Sequence, residues 1–252
     1  MSPEVACPEH PAFKPVGTCS RCGRFVCARC ETWGDVCAAC EYRQLRELPS
    51  LRARGSLARG ALGLAVLCTL FEAFLNGWLI SRLNEGMTLS AVAFTYEQAS
   101  RPLNLALLLA TGLTAVLFLR WLHLAVRTAK MLGLDPGTTP AWAVAWWFIP
   151  LAQLYDPYLV VRGLRRSLGG APKTGAAVTA WWTAWVLGGF AWWVQAYLFA
   201  TLDSDPLLLT SALLAGFAAH VILTLGALLC MVVIGQIQNL TDECVEDVAE
   251  AA

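Results

Sequence analysis

The chain has 252 residues, of which 57% are hydrophobic and 14% are charged, and its formal net charge is zero. Soluble globular domains contain about 45–50% apolar and about 25% charged residues, so the composition excludes an ordinary soluble domain and favours an integral membrane protein. The balanced charge argues against a nucleic-acid-binding protein, and we expect no nucleic acid among its partners.

The first 42 residues contain four pairs of metal-ligand residues, each pair separated by two residues: Cys7/His10, Cys19/Cys22, Cys27/Cys30 and Cys37/Cys40. This spacing lets both side chains of a pair reach one ion from a tight turn, and four ligands complete a tetrahedral Zn2+ site. Eight ligands therefore predict two zinc ions. A disulfide framework is the alternative. It needs an oxidising compartment, leaves one of the seven cysteines unpaired and gives His10 no role.

The segment Cys7-Pro-Glu-His10, with Cys19-Ser-Arg-Cys22-Gly-Arg-Phe-Val-Cys27-Ala-Arg-Cys30 after it, resembles a B-box zinc finger over about residues 5–42. The resemblance implies interleaved pairs: Cys7, His10, Cys27 and Cys30 on one ion, and Cys19, Cys22, Cys37 and Cys40 on the other. B-boxes commonly carry histidines where this chain has its last cysteine pair, so a sequential pairing of neighbouring pairs stays open. The resemblance also implies a docking role.

The N-terminal module contains little apolar material, and Phe25, Val26 and Trp33 are its few core candidates. We expect metal binding to supply much of its folding free energy. Both ions would have full protein coordination, so we predict no catalytic residue in this module.

A basic juxtamembrane linker at 43–59 follows, with arginines at 43, 46, 52, 54 and 59. Four apolar segments then reach the roughly 20 residues needed to cross a bilayer: 60–81, 102–124, 176–200 and 206–235. We predict a loop at 82–101 between the first two. The expected domains are a zinc-binding module at 1–42, the linker at 43–59, a helical transmembrane domain at 60–240 and an acidic tail at 241–252.

A fifth apolar segment, 141–161, is broken by Pro150 and Pro157. Lysine and arginine favour the cytoplasmic side of a membrane, so the linker arginines place the N-terminus in the cytoplasm. A full crossing at 141–161 would put Arg162, Arg165 and Arg166 outside, whereas a re-entrant or interfacial hairpin keeps them inside. The fold class we predict is an all-α multi-span membrane bundle with four spans and this proline-broken hairpin. A kinked crossing helix is the alternative.

The stretch Pro140-Ala-Trp-Ala-Val-Ala-Trp-Trp-Phe-Ile-Pro150-Leu-Ala-Gln-Leu-Tyr-Asp-Pro157-Tyr resembles the signature of the DUF4328 family of bacterial membrane proteins. Arg120-Trp-Leu-His-Leu-Ala-Val-Arg127, followed by Leu132-Gly133, also fits that family. The likeness covers roughly residues 60–240. It implies a helical architecture and a multi-pass protein of the bacterial inner membrane, and it implies no activity.

Glu72, Asn76, Gln195 and His220 are polar residues that fall at membrane depth in the predicted spans. Such groups usually face a bundle interior or a partner. We interpret them as structural hydrogen-bonding groups, and a proton or ion relay through Glu72 and His220 is the alternative.

These patterns predict a membrane-anchored zinc-finger protein with an interaction or regulatory role. Its expected partners are the lipid bilayer, a cytoplasmic protein and a second copy of the chain. The alternative is a small transporter or channel subunit that uses the broken segment 141–161. An enzyme that uses Glu72, Asp156 and His220 is the weakest hypothesis, because these residues are scattered along the chain.

Overall fold

The computed structural model describes residues 6–28, 30, 36–37, 39–40, 43, 50–171, 175–201 and 206–251. The chain is mostly helical. Its elements are β1 (Pro15–Thr18), β2 (Phe25–Cys27), α1 (Leu51–Asn84), α2 (Leu89–Met131), α3 (Pro140–Ala145), α4 (Asp156–Ser167), α5 (Ala176–Ala200) and α6 (Pro206–Ala251). Two short 3-10 turns, Trp146–Phe148 and Ala152–Leu154, lie between α3 and α4.

The long helices form a bundle in which α6 packs along both α5 and α1, and α1 packs along α2. The main apolar core joins the second half of α2 to α4, α5 and the second half of α6, and Trp121, Leu122, Leu164 and Ile234 are fully buried in it. A smaller core near the opposite end contains Leu79, Val92 and Leu213. Side chains that face away from these cores are also apolar, with Phe74 and Leu108 about two-thirds exposed.

Three described helices are long and apolar enough to cross a membrane: Leu51–Asn84, Leu89–Met131 and Leu207–Val248. The predicted fourth span, α5, is long enough to cross a membrane but is not apolar enough to be counted with these three helices. Its five tryptophans and Gln195 lower its mean hydropathy, although it has 25 residues. At 1.5 Å per residue the 43 residues of α2 extend about 65 Å, well beyond the roughly 30 Å hydrocarbon core.

The predicted loop at 82–101 is wrong. Helix α1 continues to Asn84 and α2 already begins at Leu89, so the connection is only the four residues between them. The Thr88 side chain caps α2 by accepting a hydrogen bond from the Ala91 N–H at 3.4 Å. Pro102, at the start of the predicted second span, lies inside α2, although proline is disfavoured in a helix interior.

The segment 141–161 is broken, as its prolines indicate. Helix α3 starts after Thr139, whose hydroxyl accepts from the Trp142 N–H at 3.3 Å, and it ends before the two 3-10 turns. Between those turns Leu151 has a φ of 67°, a conformation that non-glycine residues rarely adopt. The Trp182 indole N–H donates to the Leu154 carbonyl at 3.1 Å, which fastens the broken segment to α5.

The predicted linker and tail are partly helical and lie against each other. Helix α1 begins within the linker at Leu51, and α6 runs through the tail to Ala251. The Arg52 guanidinium donates to the Asp242 carboxylate at 3.1 Å, and the Gln238 side-chain amide donates to the Leu51 carbonyl at 3.2 Å. The two ends of the helical region are therefore connected across the bundle.

Candidate metal centre

A short antiparallel hairpin organises the N-terminal module. Gly17 of β1 faces Val26 of β2, and Thr18 faces Phe25. The tip between the strands carries Cys19 and Cys22. The backbone closes this tip with a hydrogen bond from the Gly23 N–H to the Cys19 carbonyl at 2.8 Å, and Gly23 has a φ of 70° that glycine adopts at no steric cost.

The other three pairs form matching turns. In each, the N–H of the second ligand donates to the carbonyl of the first: His10 to Cys7 at 3.2 Å, Cys30 to Cys27 at 2.9 Å and Cys40 to Cys37 at 2.9 Å. The two-residue gap of the sequence therefore becomes a tight turn that points both side chains of a pair in one direction.

The first group of ligand atoms comes from Cys7, His10, Cys27 and Cys30, and all four lie within 4.8 Å of one another. The Cys7 and Cys30 sulfurs are 3.7 Å apart. The His10 Nδ1 lies 3.1 Å from the Cys30 sulfur and 3.7 Å from that of Cys27.

The second group comes from Cys19, Cys22, Cys37 and Cys40, whose sulfurs also lie within 4.8 Å of one another. The Cys22 and Cys37 sulfurs are 3.8 Å apart. The Cys37 N–H donates to the Cys19 sulfur at 3.3 Å, which is a bond that supports a thiolate. Cys22 is exposed, whereas the other three are buried.

The sulfur–sulfur distances fit a tetrahedral zinc ion, whereas the 3.1 Å between the His10 Nδ1 and the Cys30 sulfur is shorter than such a site requires. Zinc–sulfur bonds of about 2.3 Å and zinc–nitrogen bonds of about 2.0 Å at tetrahedral angles place two sulfurs about 3.8 Å apart and a sulfur and nitrogen about 3.5 Å apart. The sulfur pairs at 3.7 and 3.8 Å match that edge length. Both groups can therefore hold a metal ion, and all ten cysteines are free of disulfides.

The cysteine pKa values are split within each group. Burial raises the pKa of Cys7, but backbone N–H groups of Cys27, His10 and Glu9 outweigh burial and lower it to about 6. Burial and the neighbouring Cys7 and Cys27 thiolates raise the pKa of Cys30 to about 12. A cluster of this kind accumulates negative charge as its thiols ionise, which a bound divalent cation relieves.

The second group shows the same split. Burial raises the pKa of Cys19, but the backbone N–H groups of Cys37, Cys22 and Arg21 together lower it to about 6. Burial and the adjacent Cys22 and Cys37 sulfurs raise the pKa of Cys40 to about 12.

The structure groups the eight predicted ligands in the interleaved order, and the sequential order does not occur among them. The interior of the module consists mostly of these cysteines, with Val26 only 5% exposed. Phe25, the second predicted core residue, is 41% exposed and lies on the outer side of the hairpin. Trp33 lies outside the described residues.

Comparison with known families adds one finding. The family described as Domain of unknown function (DUF4328) matches residues 87–239, which is more than half of the chain. The chain belongs to the DUF4328 family. No curated protein and no solved structure matches it. The match begins at residue 87, so α1 and the metal-ligand module precede it, and the DUF4328 domain proper comprises α2 to α6.

A second polar site lies inside the bundle, where the DUF4328 domain meets α1. The Gln195 side-chain amide donates to the Asn76 side-chain carbonyl and to the Tyr96 hydroxyl, each at 3.2 Å. The Asn76 amide donates to the Glu72 backbone carbonyl at 2.7 Å. Gly216 of α6 lies against this group, since a Cβ there would come within 2.1 Å of the Gln195 amide nitrogen.

Glu72 and His220 are 1% and 2% exposed in the same region. The His220 Nδ1 donates to the Gly216 carbonyl at 2.7 Å, and Thr69 and Thr224 share a hydrogen bond of 2.7 Å between α1 and α6. These contacts place Glu72 and His220 on facing turns of two antiparallel helices. Both oxygens of the Glu72 carboxylate lack a hydrogen-bond partner among the described residues. The same is true of the His220 Nε2.

The structure separates the remaining predicted polar residue from this site. Asp156 begins α4 in the broken segment, which packs against the first half of α5 around Trp182. Trp182 and Gln195 are 13 residues apart, or about 20 Å along the helix. Sequence reasoning missed Tyr96 because it falls within the predicted loop at 82–101; its place on a helix became visible only in the fold.

Proposed function

We propose that this protein is a membrane-anchored zinc protein whose N-terminal module docks a cytoplasmic protein partner. The observation that supports the proposal is the pair of four-residue groups, each with its ligand atoms within 4.8 Å. Cys7, His10, Cys27 and Cys30 would hold one Zn2+, and Cys19, Cys22, Cys37 and Cys40 the other.

The role of the ions in this proposal is structural. Catalytic zinc sites keep an open position for water or substrate, whereas each group here offers four protein ligands. The module has few apolar contacts of its own, so bound zinc would connect the hairpin to the turns at Cys7, Cys30 and Cys40 and would fix its outer surface.

The outer surface of the hairpin carries apolar side chains that support docking. Phe13, Val16 and Phe25 are 43%, 56% and 41% exposed. Phe13 lies edge-on to the His10 ring at a centroid distance of 6.1 Å. The exposed surface therefore directly contacts one of the proposed metal ligands. Exposed apolar groups beside a closed metal site are typical of a protein-contact surface.

The topology in this proposal is a multi-pass protein of the bacterial inner membrane with a cytoplasmic N-terminus. The arginines at 52, 54 and 59 support that orientation. Helix α5 is proposed as the fourth span because it packs along α6 and presents exposed Leu187, Phe190 and Trp193 on its outer face. The broken segment would then enter and leave the membrane on the cytoplasmic side.

The test uses the full-length chain, crosslinked in intact cells and purified in detergent. We expect the same partner to copurify with the wild type and with Lys14→Ser, an exposed control in the same module. The double variant Val16→Ser/Phe25→Ser should lose the partner but keep its zinc. The variant Cys27→Ser should lose both the partner and zinc. Undiminished recovery with the Val16/Phe25 variant would contradict the docking proposal.

A second candidate function is a small transporter or channel subunit, and the site at Glu72 and His220 favours it. Buried ionisable groups without partners in apolar helices commonly mark ion or proton pathways. The broken segment 141–161, on which this alternative was first based, packs about 20 Å away along α5 and does not line that site.

Flux through proteoliposomes containing the full chain tests this second candidate. An ion or proton flux that Glu72→Gln abolishes, and that the exposed control Glu97→Gln leaves unchanged, would support transport. Absence of flux in the wild type, or equal flux in both variants, would exclude it.

A further inference from the structure

A basic cavity lies where α4 ends and α5 begins. It has a volume of about 290 Å3, and it is lined by Arg162, Arg165 and Arg166 on one side and by the first turn of α5 on the other. None of the described residues that line it is acidic. The cavity volume is at the lower limit of the roughly 300–1,000 Å3 of pockets that enclose drug-sized ligands, and its arginine lining suits a compact anionic group.

Arg165 is the central residue of this cavity because its charge is buried. The residue is only 4% exposed, and its Nη2 donates to the Ala171 carbonyl at 3.0 Å. Its Nε is also buried, yet it has no hydrogen-bond partner among the residues that the structure describes. A buried cationic donor without an acceptor is costly, so this nitrogen indicates a ligand that supplies the acceptor.

Two glycines hold the guanidinium in place. A Cβ at Gly170 would lie 2.7 Å from the Arg165 carbonyl oxygen and 3.0 Å from its Cζ, so only glycine fits there. A Cβ at Gly175 would lie 3.6 Å from the Arg165 Nη1. Gly170 and Gly175 thus both lie close against the Arg165 side chain, which is positioned before any ligand binds.

The first turn of α5 adds backbone donors to the same cavity. Gly175 precedes this 25-residue helix and provides no side-chain cap, so among the described residues no N-cap side chain takes up the first N–H groups. The positive end of the helix dipole favours an anion at this position. A contact from α4 also fixes this turn, because the Tyr158 hydroxyl bonds the Thr179 hydroxyl at 3.2 Å and accepts from Arg162 at 3.2 Å.

We propose that this cavity binds a phosphoryl group, with Arg165 as its main charged donor and exposed Arg162 and Arg166 at its rim. The planar guanidinium fork matches phosphate oxygens in pairs. The cavity lies where the apolar run of α5 begins, which is the level at which the phosphate of an anionic phospholipid would lie beside a membrane helix. A lipid headgroup and free phosphate share this chemistry.

The experiment measures both sources on the purified full-length protein. One arm reconstitutes it in phosphatidylcholine vesicles with or without phosphatidylglycerol, then extracts it and counts retained phosphatidylglycerol by native mass spectrometry. The other arm measures the Tm in detergent with inorganic phosphate against chloride at equal ionic strength. Retained lipid assigns the site to a headgroup, and a phosphate-dependent rise in Tm assigns it to free phosphate.

In whichever arm binds, we expect Arg165→Gln to weaken binding at least tenfold. Arg165→Lys, which keeps the charge but loses the fork, should be intermediate. Gly170→Ala should also weaken binding, because it displaces the guanidinium without changing the charge. If the Arg165 variants do not fold, the double variant Arg162→Gln/Arg166→Gln replaces them as the test. It should reduce binding severalfold.

The control is Arg127→Gln, an exposed arginine of α2 away from the cavity, and it should leave binding unchanged. Three results would overturn the proposal: no binding in either arm, binding that survives Arg165→Gln and Gly170→Ala, or an equal loss in Arg127→Gln. An equal loss in Arg127→Gln would show that binding depends on the overall positive charge of the protein and not on this cavity.

Discussion

The N-terminal module and the helical bundle are built in opposite ways. The interior of the module is made of cysteines and one histidine, in which Cys7 and Cys27 are almost fully buried and Val26 is one of few apolar neighbours. The interior of the bundle is made of large apolar side chains such as Trp121, Leu164 and Ile234. On the zinc proposal a bound cation would stabilise the first interior, whereas apolar contact among helices stabilises the second.

The two regions also treat buried polar groups differently. In the module the polar atoms converge at distances that suit one ion. In the bundle they form hydrogen bonds between helices, as between Gln195 and Asn76, and leave the Glu72 carboxylate without a partner among the described residues. Substitutions in the module should therefore change metal content as well as stability, and those in the bundle should leave the metal content unchanged.

The largest effect is expected from paired ligand substitutions, which also test the interleaved order. Cys7→Ser/Cys27→Ser removes two ligands of one group and should lose one of two zinc ions per chain. Cys7→Ser/Cys19→Ser disrupts both groups and should lose both ions. Elemental analysis of purified protein checks this, with Cys68→Ala in α1 as a control that retains both. The reverse pattern would indicate sequential pairing.

A smaller effect is expected from Gly216→Ala in the bundle. The added Cβ would lie 2.5 Å from the Gln195 Cδ and 2.6 Å from the Asn76 Oδ1, so it must separate two bonded side chains. We expect a loss of about 1–3 kcal/mol in the free energy of unfolding. Gly112→Ala is the matched control, because nothing lies within 4 Å of a Cβ there. Both are measured by denaturation in detergent, and equal stabilities would refute the tight contact.

Removal of the interhelical hydrogen bonds should cost less. Gln195→Leu eliminates the bonds to Asn76 and Tyr96. We expect a loss of about 1 kcal/mol, since such bonds average about 0.6 kcal/mol each in membrane helices. Tyr96→Phe removes one of the two and should cost about half as much. The double variant should match Gln195→Leu alone, and full additivity would mean that the two side chains do not interact.

The smallest effect is expected at the ion pair between Arg52 and Asp242. Both side chains are solvent-accessible, at 69% and 36%, and exposed pairs are screened by water and salt. Arg52→Ala should leave the Tm within experimental error of the wild type. A clear decrease, absent from the exposed control Arg54→Ala, would show that the contact between the first and last helices stabilises the bundle.

Sequence patterns predicted the module better than the bundle interior. A two-residue gap between ligands has a local geometric meaning, so Cys37 and Cys40 could be assigned to one turn without knowledge of the fold. Helices were predicted from apolar runs, but their ends were misplaced, because α2 begins before its apolar run and continues through the polar residues Glu97 and Arg101. Tyr96 was consequently assigned to a loop, although it lies on α2 within hydrogen-bonding distance of Gln195.

The sequence alone determined that the chain has membrane-length apolar segments, a break at Pro150 and eight candidate metal-ligand residues in four close pairs, since each depends on composition or short spacing. The tertiary structure decided which turns share a group, because that depends on how the hairpin brings Cys27 back to Cys7. It also decided that Thr69 bonds Thr224 between two helices and that Gly170 lies against the Arg165 side chain. Those juxtapositions join residues whose distances follow from packing, which no local pattern encodes.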